Sequence, residues 1–141
     1  MGMTLQKANI IDKQSYRVFT YTLKDDGILY IHVDSDDYNV DTLKKANEVI
    51  GKMTKGKAVP LLITHDRSVI PPVETRTFWA QKDSCPYSKA DAFIIYSTTQ
   101  KLIGNFYMAF NKPARPTRLF TNKEDAIKWL SKFLVKNSNK Y

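Results

Sequence analysis

The chain has 141 residues, 43% of them hydrophobic and 26% charged, which is the size and balance of one globular domain. No apolar run approaches the roughly eighteen residues that a membrane helix needs. The start lacks the charged-then-apolar layout of a secretory signal, so a cytoplasmic location is expected. Cys85 is the single cysteine; it allows no intrachain disulfide and fits a reducing compartment.

The net charge of +8 is unevenly placed. Residues 1–70 carry ten Lys or Arg against nine Asp or Glu, and residues 71–141 carry twelve against five. Such asymmetry can mark a face for nucleic acid or an anionic membrane. No contiguous basic run, helix-turn-helix, zinc finger or aromatic RNA-binding motif accompanies it, so no specific nucleic-acid binding is expected. Lysines on exposed helix faces that keep the protein soluble account for the excess more simply.

In chain order, residues 1–14 have no clear periodicity and read as a flexible lead-in or an edge segment. Ser15 to Lys24 reads as a strand, with Phe19, Tyr21 and Leu23 on one face and Val18, Thr20 and Thr22 on the other. Asp25-Asp26-Gly27 is a hairpin signal, since Gly accepts positive φ. Ile28 to Val33 is the partner strand. Leu43, Ala46, Val49, Ile50 and Met53 predict a helix over about Asp41 to Lys55, capped by Asn39 or Asp41 and ended at Gly56. Leu61 to Thr64 is the next strand, since Pro60 can begin but not interrupt a central one. Pro71-Pro72 opens a helix running to about Asp83.

Ala92 to Tyr96 is an apolar run typical of a strand buried on both faces. Thr98 to Asn111 follows as a helix that buries Leu102, Ile103, Phe106 and Phe110. Pro113 and Pro116 impose a loop, and Thr117 to Phe120 is a short last strand. Thr121 and Glu124 predict a capping box, ahead of the stripe Ala126, Ile127, Leu130, Phe133 and Leu134. The tail from residue 137 frays. The order ββαβαβαβα implies an α/β domain over residues 15–136. Its sheet is mixed but mostly parallel, with right-handed crossovers, an N-terminal antiparallel hairpin and about four helices.

Chemistry-bearing clusters are few. Five scattered glycines rule against a phosphate-cradling loop or dinucleotide fingerprint. His32, His65 and Cys85 match no metal spacing, so neither metal nor cofactor is expected. His65-Asp66-Arg67-Ser68 follows a parallel strand, where open α/β sheets tend to bind ligands; the alternative is a polar turn in which Asp66 satisfies local backbone. Arg115 and Arg118, near Lys112, could receive a phosphate, a carboxylate or an acidic partner, or could pair locally. Phe78, Trp79, Phe106 and Tyr107 could line a cleft for an apolar ligand.

The hairpin, Leu61 to Thr64, Ala92-Phe93-Ile94-Ile95-Tyr96, and Arg118-Leu119-Phe120 followed by Ala126-Ile127 and Trp129-Leu130 together resemble the bacterial SpoIIAA-like proteins of the STAS-like group. The likeness is strongest from Ala92 to Phe133. It implies a non-enzymatic regulatory module that meets a protein partner, or a second copy of itself. Small, lipophilic ligands are the alternative it leaves open. In anti-sigma-factor antagonists of that group, a Ser at a helix start is phosphorylated. The corresponding Asp66-Arg67-Ser68 lacks the Asp-Ser-Ser-Gly pattern, so that switch is not carried over. A hydrolase would have to draw on His65, Asp66, Ser68 and Cys85.

Overall fold

A computed structural model describes residues 7–134. Six strands form one sheet: β1 (Ile10–Tyr16), β2 (Phe19–Lys24), β3 (Leu29–Val33), β4 (Val59–His65), β5 (Ser88–Ile94) and β6 (Thr117–Phe120). Four helices follow β3 onward: α1 (Val40–Met53), α2 (Val73–Trp79), α3 (Thr98–Phe106) and α4 (Lys123–Leu130). A π-helical turn, Tyr107–Asn111, extends α3, and a 3-10 turn, Ser131–Phe133, extends α4.

The strands lie side by side in chain order, β1 to β6. The first three pair antiparallel, and β3 to β6 pair parallel. This order decides where the helices go. Parallel crossovers are right-handed, and here each one steps in the same direction across the sheet. All three crossover helices, α1, α2 and α3, must therefore share one face. Only α4, which connects no strands, is free to cover the other.

The two faces have separate cores. On the crossover side Phe19, Tyr21, Ile31 and Ile63 meet Leu43, Ala46 and Ile50 of α1. On the other side Ile28, Leu62, Ala90, Ala92 and Ile94 meet Ala126 and Leu130 of α4. Alternation along β2 to β4 delivers these sets, as expected for strands with period two.

Several boundaries differ from expectation. The stretch Ser15–Lys24 is two strands, because Arg17 adopts φ 54° and the chain reverses between Tyr16 and Phe19. Ile10 to Tyr16 is thus an edge strand, so of the two readings offered for residues 1–14 the edge segment is found from Ile10, and the sheet begins before residue 15. The element order gains one strand at its start. The frayed tail falls outside the described residues. Strand β5 begins at Ser88 and takes in Asp91, fully buried, because the partners described below compensate its charge.

The cap of α4 is Asn122, whose side chain accepts from Asp125 N at 2.9 Å, in place of the Thr121–Glu124 box. Asn39 caps α1 with a full capping box. Gly51 inside α1 has a packing reason: a Cβ there would lie 2.6 Å from the Tyr87 ring. Helix α2 is shorter than expected, ending before Ala80.

Candidate functional site

The crossover side is not filled. A cavity of about 120 Å³ lies between β2–β5 and the helices α1, α2 and α3. Its wall is overwhelmingly apolar, with Ile31, Val33 and Ile63 of the sheet facing Leu43, Val69 and Ile103. The volume is close to that of an apolar cavity able to take a benzene-sized guest and well below a drug-sized pocket.

Polar side chains interrupt this wall, among them His65, Tyr107 and Asn47. His65 ends β4 with its side chain turned inward, 8% exposed. Burial, and secondly the neighbouring His32, lower its pKa to about 4, so it is neutral at physiological pH. Its ring stacks on Phe93 at 6.4 Å. Tyr107 opens the π-helical turn and packs edge-on against Phe93. Burial raises the pKa of its phenol, which stays protonated. Asn47 enters from α1 and donates through Nδ2 to Ser84 O. Five buried side-chain polar atoms lack a partner among the described residues, and two of them, Tyr107 Oη and Asn47 Oδ1, belong to residues of this wall. A buried, unpaired oxygen is unfavourable by about 1–3 kcal/mol. Both atoms are closed off from the cavity itself: the Tyr107 phenol lies towards Asp91 and Arg115, and the Asn47 amide is turned to Ser84 O.

The rim of the cavity is held by hydrogen bonds. Gln100 of α3 donates to Asp66 O at 2.8 Å and Val69 O at 3.2 Å, and accepts from Tyr96 N at 2.8 Å. That pins α3 to the loop after β4. At the opposite end, Asp91 takes Trp79 Nε1 at 2.9 Å, Ser88 Oγ at 2.6 Å and Arg115 Nη2 at 3.0 Å. Arg115 also donates to Trp79 O and to Ser84 Oγ.

The residues singled out in the sequence are not brought to one place. His65 faces the cavity. Asp66 is exposed and accepts from His32 Nε2 at 2.7 Å, while its backbone N–H meets Val33 O. Arg67 donates to Tyr96 O, and Ser68 is exposed in the loop. Asp66 and Arg67 are thus each held by a residue distant in sequence, and the Asp66 carboxylate takes no backbone N–H of the turn among the described residues. Arg115 is buried on Asp91, so it is closed to an outside anion. Arg118 is exposed on β6, its guanidinium 5.4 Å from the Phe120 ring. Because the strand order never reverses, the crevice that open α/β sheets offer at a switch point does not form after β4.

The hydrolase candidates are also apart. Cys85 is buried, and burial pushes its thiol up to about 11. It packs among the crossover-side core residues, and no His or carboxylate hydrogen-bonds it among the described residues; the nearby Asp91 is taken up by Arg115 and Trp79. On the other side of the sheet, His32 Nδ1 meets Thr64 Oγ1 at 2.7 Å. This places hydroxyl, imidazole and the Asp66 carboxylate in line, but Thr64 is buried in a central strand whose backbone is paired on both sides. The bridge ties β3 to β4 and to the loop beyond.

The residues that the sequence did not reveal are Gln100, Tyr107 and Asn47. The inward face of α3 is Gln100, Ile103, Gly104 and Tyr107, shifted by one position from the expected stripe. Leu102, Phe106 and Phe110, expected in the core, are 68%, 49% and 70% exposed. The signal was present as Gly104: a Cβ there would lie 3.0 Å from Leu119, so this is the side that approaches the sheet.

The model of the family described as "Domain of unknown function (DUF7793)" matches residues 21–134. The chain is also similar to an uncharacterised protein from Shewanella loihica PV-4, of the DUF3478 family with a SpoIIAA-like fold. Identity is 15% over 92% of this chain and 99% of that one, with a TM-score of 0.48. A protein with unknown function from Arthrobacter sp. FB24 is 22% identical over 79% and 97% of the two chains, with a TM-score of 0.28. No curated protein matches significantly. Among the described residues no helix is long and apolar enough to cross a membrane.

Proposed function

For this chain, which belongs to the DUF7793 family, we propose binding of a small, uncharged, largely apolar molecule in the cavity between the sheet and α1–α3. The observation that carries this reading is the cavity itself, walled almost wholly by apolar surface of the sheet and of α1, α2 and α3. Neutral His65, at the end of β4, supplies a polar contact on that wall. The size suits a single ring or a short branched chain bearing one hydroxyl, amide or similar group. A charged guest is disfavoured, since no ionised side chain lines the inner wall except Arg76, which donates to Pro71 O.

The module binds rather than transforms in this reading, and the bound state is what a partner would sense. Native mass spectrometry of freshly purified protein should show a retained small molecule. A panel of single-ring and branched-chain alcohols and amides should raise the melting temperature. Saturation at a hundredfold over Kd stabilises by about 2.7 kcal/mol. Ala46→Met would fill the cavity from α1 and should abolish those shifts while the fold persists. A flat panel, with wild type and Ala46→Met indistinguishable, would sink the proposal.

A further inference from the structure

The outer side of α3 poses a separate problem. Its inner side, Ile103, Gly104 and Tyr107, lines the cavity, while Leu102, Phe106 and Phe110 recur at every fourth position on the side facing away. The Phe106 and Phe110 rings pack on each other, centroids 4.5 Å apart, and both side chains are exposed. A helix apolar on both sides is ordinarily buried on both. Here the second side is open.

Charge indicates what covers it. From Ala92 to Lys123 the chain contains no Asp or Glu, and five Lys or Arg. Arg115 is neutralised by Asp91, but Lys101 and Lys112 are exposed at the two ends of the apolar stripe and make no ion pair among the described residues. The adjacent α2 adds Glu74 and Arg76, which offset each other, and exposed Val73. A second copy using this face in a two-fold contact would bring its own Lys101 and Lys112 against these, like charge on like. An anionic surface complements them.

We infer that the outer side of α3 and its π-helical extension docks on an anionic lipid bilayer, with Leu102, Phe106 and Phe110 entering the interface and Lys101 and Lys112 meeting the headgroups. Exposed Phe and Leu flanked by lysines form the interfacial pattern of helices that lie on, and do not cross, a membrane. Each lysine near such a surface adds an attraction that salt screens. The docking does not require an occupied cavity, so it stands or falls apart from the ligand reading. The helix that meets the bilayer is nonetheless a wall of that cavity.

Vesicle co-sedimentation at about 0.15 M salt tests this, with phosphatidylcholine alone and phosphatidylcholine mixed with phosphatidylserine. Wild type should partition onto the mixed vesicles and at least about tenfold less onto the neutral ones. Leu102→Ser/Phe106→Ser/Phe110→Ser, a change of exposed residues that leaves the melting temperature close to wild type, should lose at least about tenfold on mixed vesicles. Lys101→Glu/Lys112→Glu should lose a similar factor. Failure of wild type to partition onto mixed vesicles overturns the proposal. So does retention by the triple serine variant, which would leave a purely electrostatic contact that any acidic protein could make. Sedimentation velocity provides the remaining arm: a wild-type dimer dissociated by the triple substitution would assign the face to a second copy and overturn it as well.

Discussion

The two faces of the sheet are held in opposite ways. On the α4 side, small residues of β5, Ala90 and Ala92, let Ala126 and Leu130 pack directly on the strands. On the crossover side α1 also packs on the strands, through Leu43, Ala46 and Ile50, but α3 and α2 are fastened at the perimeter by polar contacts, Gln100 to the loop after β4 and Trp79 to Asp91 and Arg115. The middle stays hollow. An apolar contact stabilises in proportion to the area it covers, so it closes voids. A hydrogen bond fixes a distance instead, and can hold two elements apart as readily as together. The comparison teaches that the cavity is built in by its rim and is not a packing defect.

Breaking the rim should have the largest effect. Asp91→Ala leaves the Arg115 guanidinium buried without its counter-ion and should cost about 3–5 kcal/mol, read from urea unfolding. A cost below about 1 kcal/mol would mean that the perimeter does not hold α2 in place. On the packed side, Leu130→Ala should cost about 2–5 kcal/mol by the same measurement. A loss within the scatter of surface changes, about half a kcal/mol, would mean α4 is not docked.

Acid should separate the faces further. His65 is held at about 4 in the fold, below its ordinary 6.5. Between those values the unfolded chain binds the extra proton, so stability is full above about pH 6.5 and falls as pH drops towards 4. The full loss is about 3 kcal/mol. His65→Gln should remove that part of the pH dependence, followed by denaturant midpoints from pH 7 to 4. Smallest is Tyr107→Phe: deleting an unpaired oxygen should leave the empty protein equal or more stable by up to about 1 kcal/mol. A marked destabilisation would show that Oη already has a partner.

Much of the fold was legible because the alternation in β2 and β3 and the helical stripes of α1 and α4 have one interpretation each. Phe19 and Tyr21 must face one way, and Leu43, Ala46 and Ile50 must share a side. The turn at Arg17 was not, since a left-handed Arg carries no sequence mark. Strand β5 was placed late because a buried Asp91 is intelligible only with Arg115, far along the chain, beside it. The site was the least legible part. Gln100 reads as a surface residue until the carbonyls of Asp66 and Val69 are known to wait beneath it, and the fuller apolar stripe of α3 pointed outward. His65 was identified, but its neighbours Asp66 and Ser68 belong to the loop and not to the cavity.

The sequential strand order has a consequence for assembly. Every strand pairs with its immediate predecessor, so the sheet can grow from one edge without waiting for a distant segment. The antiparallel meander of β1 to β3 closes short loops and is the fast part; each later strand must first bring back its crossover. Helix α4 comes last, yet it shelters Ile28 and Leu62, which are laid down early. Until it docks, the growing sheet shows a sticky underside, and the interval between forming β4 and docking α4 is when the chain is most open to misassociation.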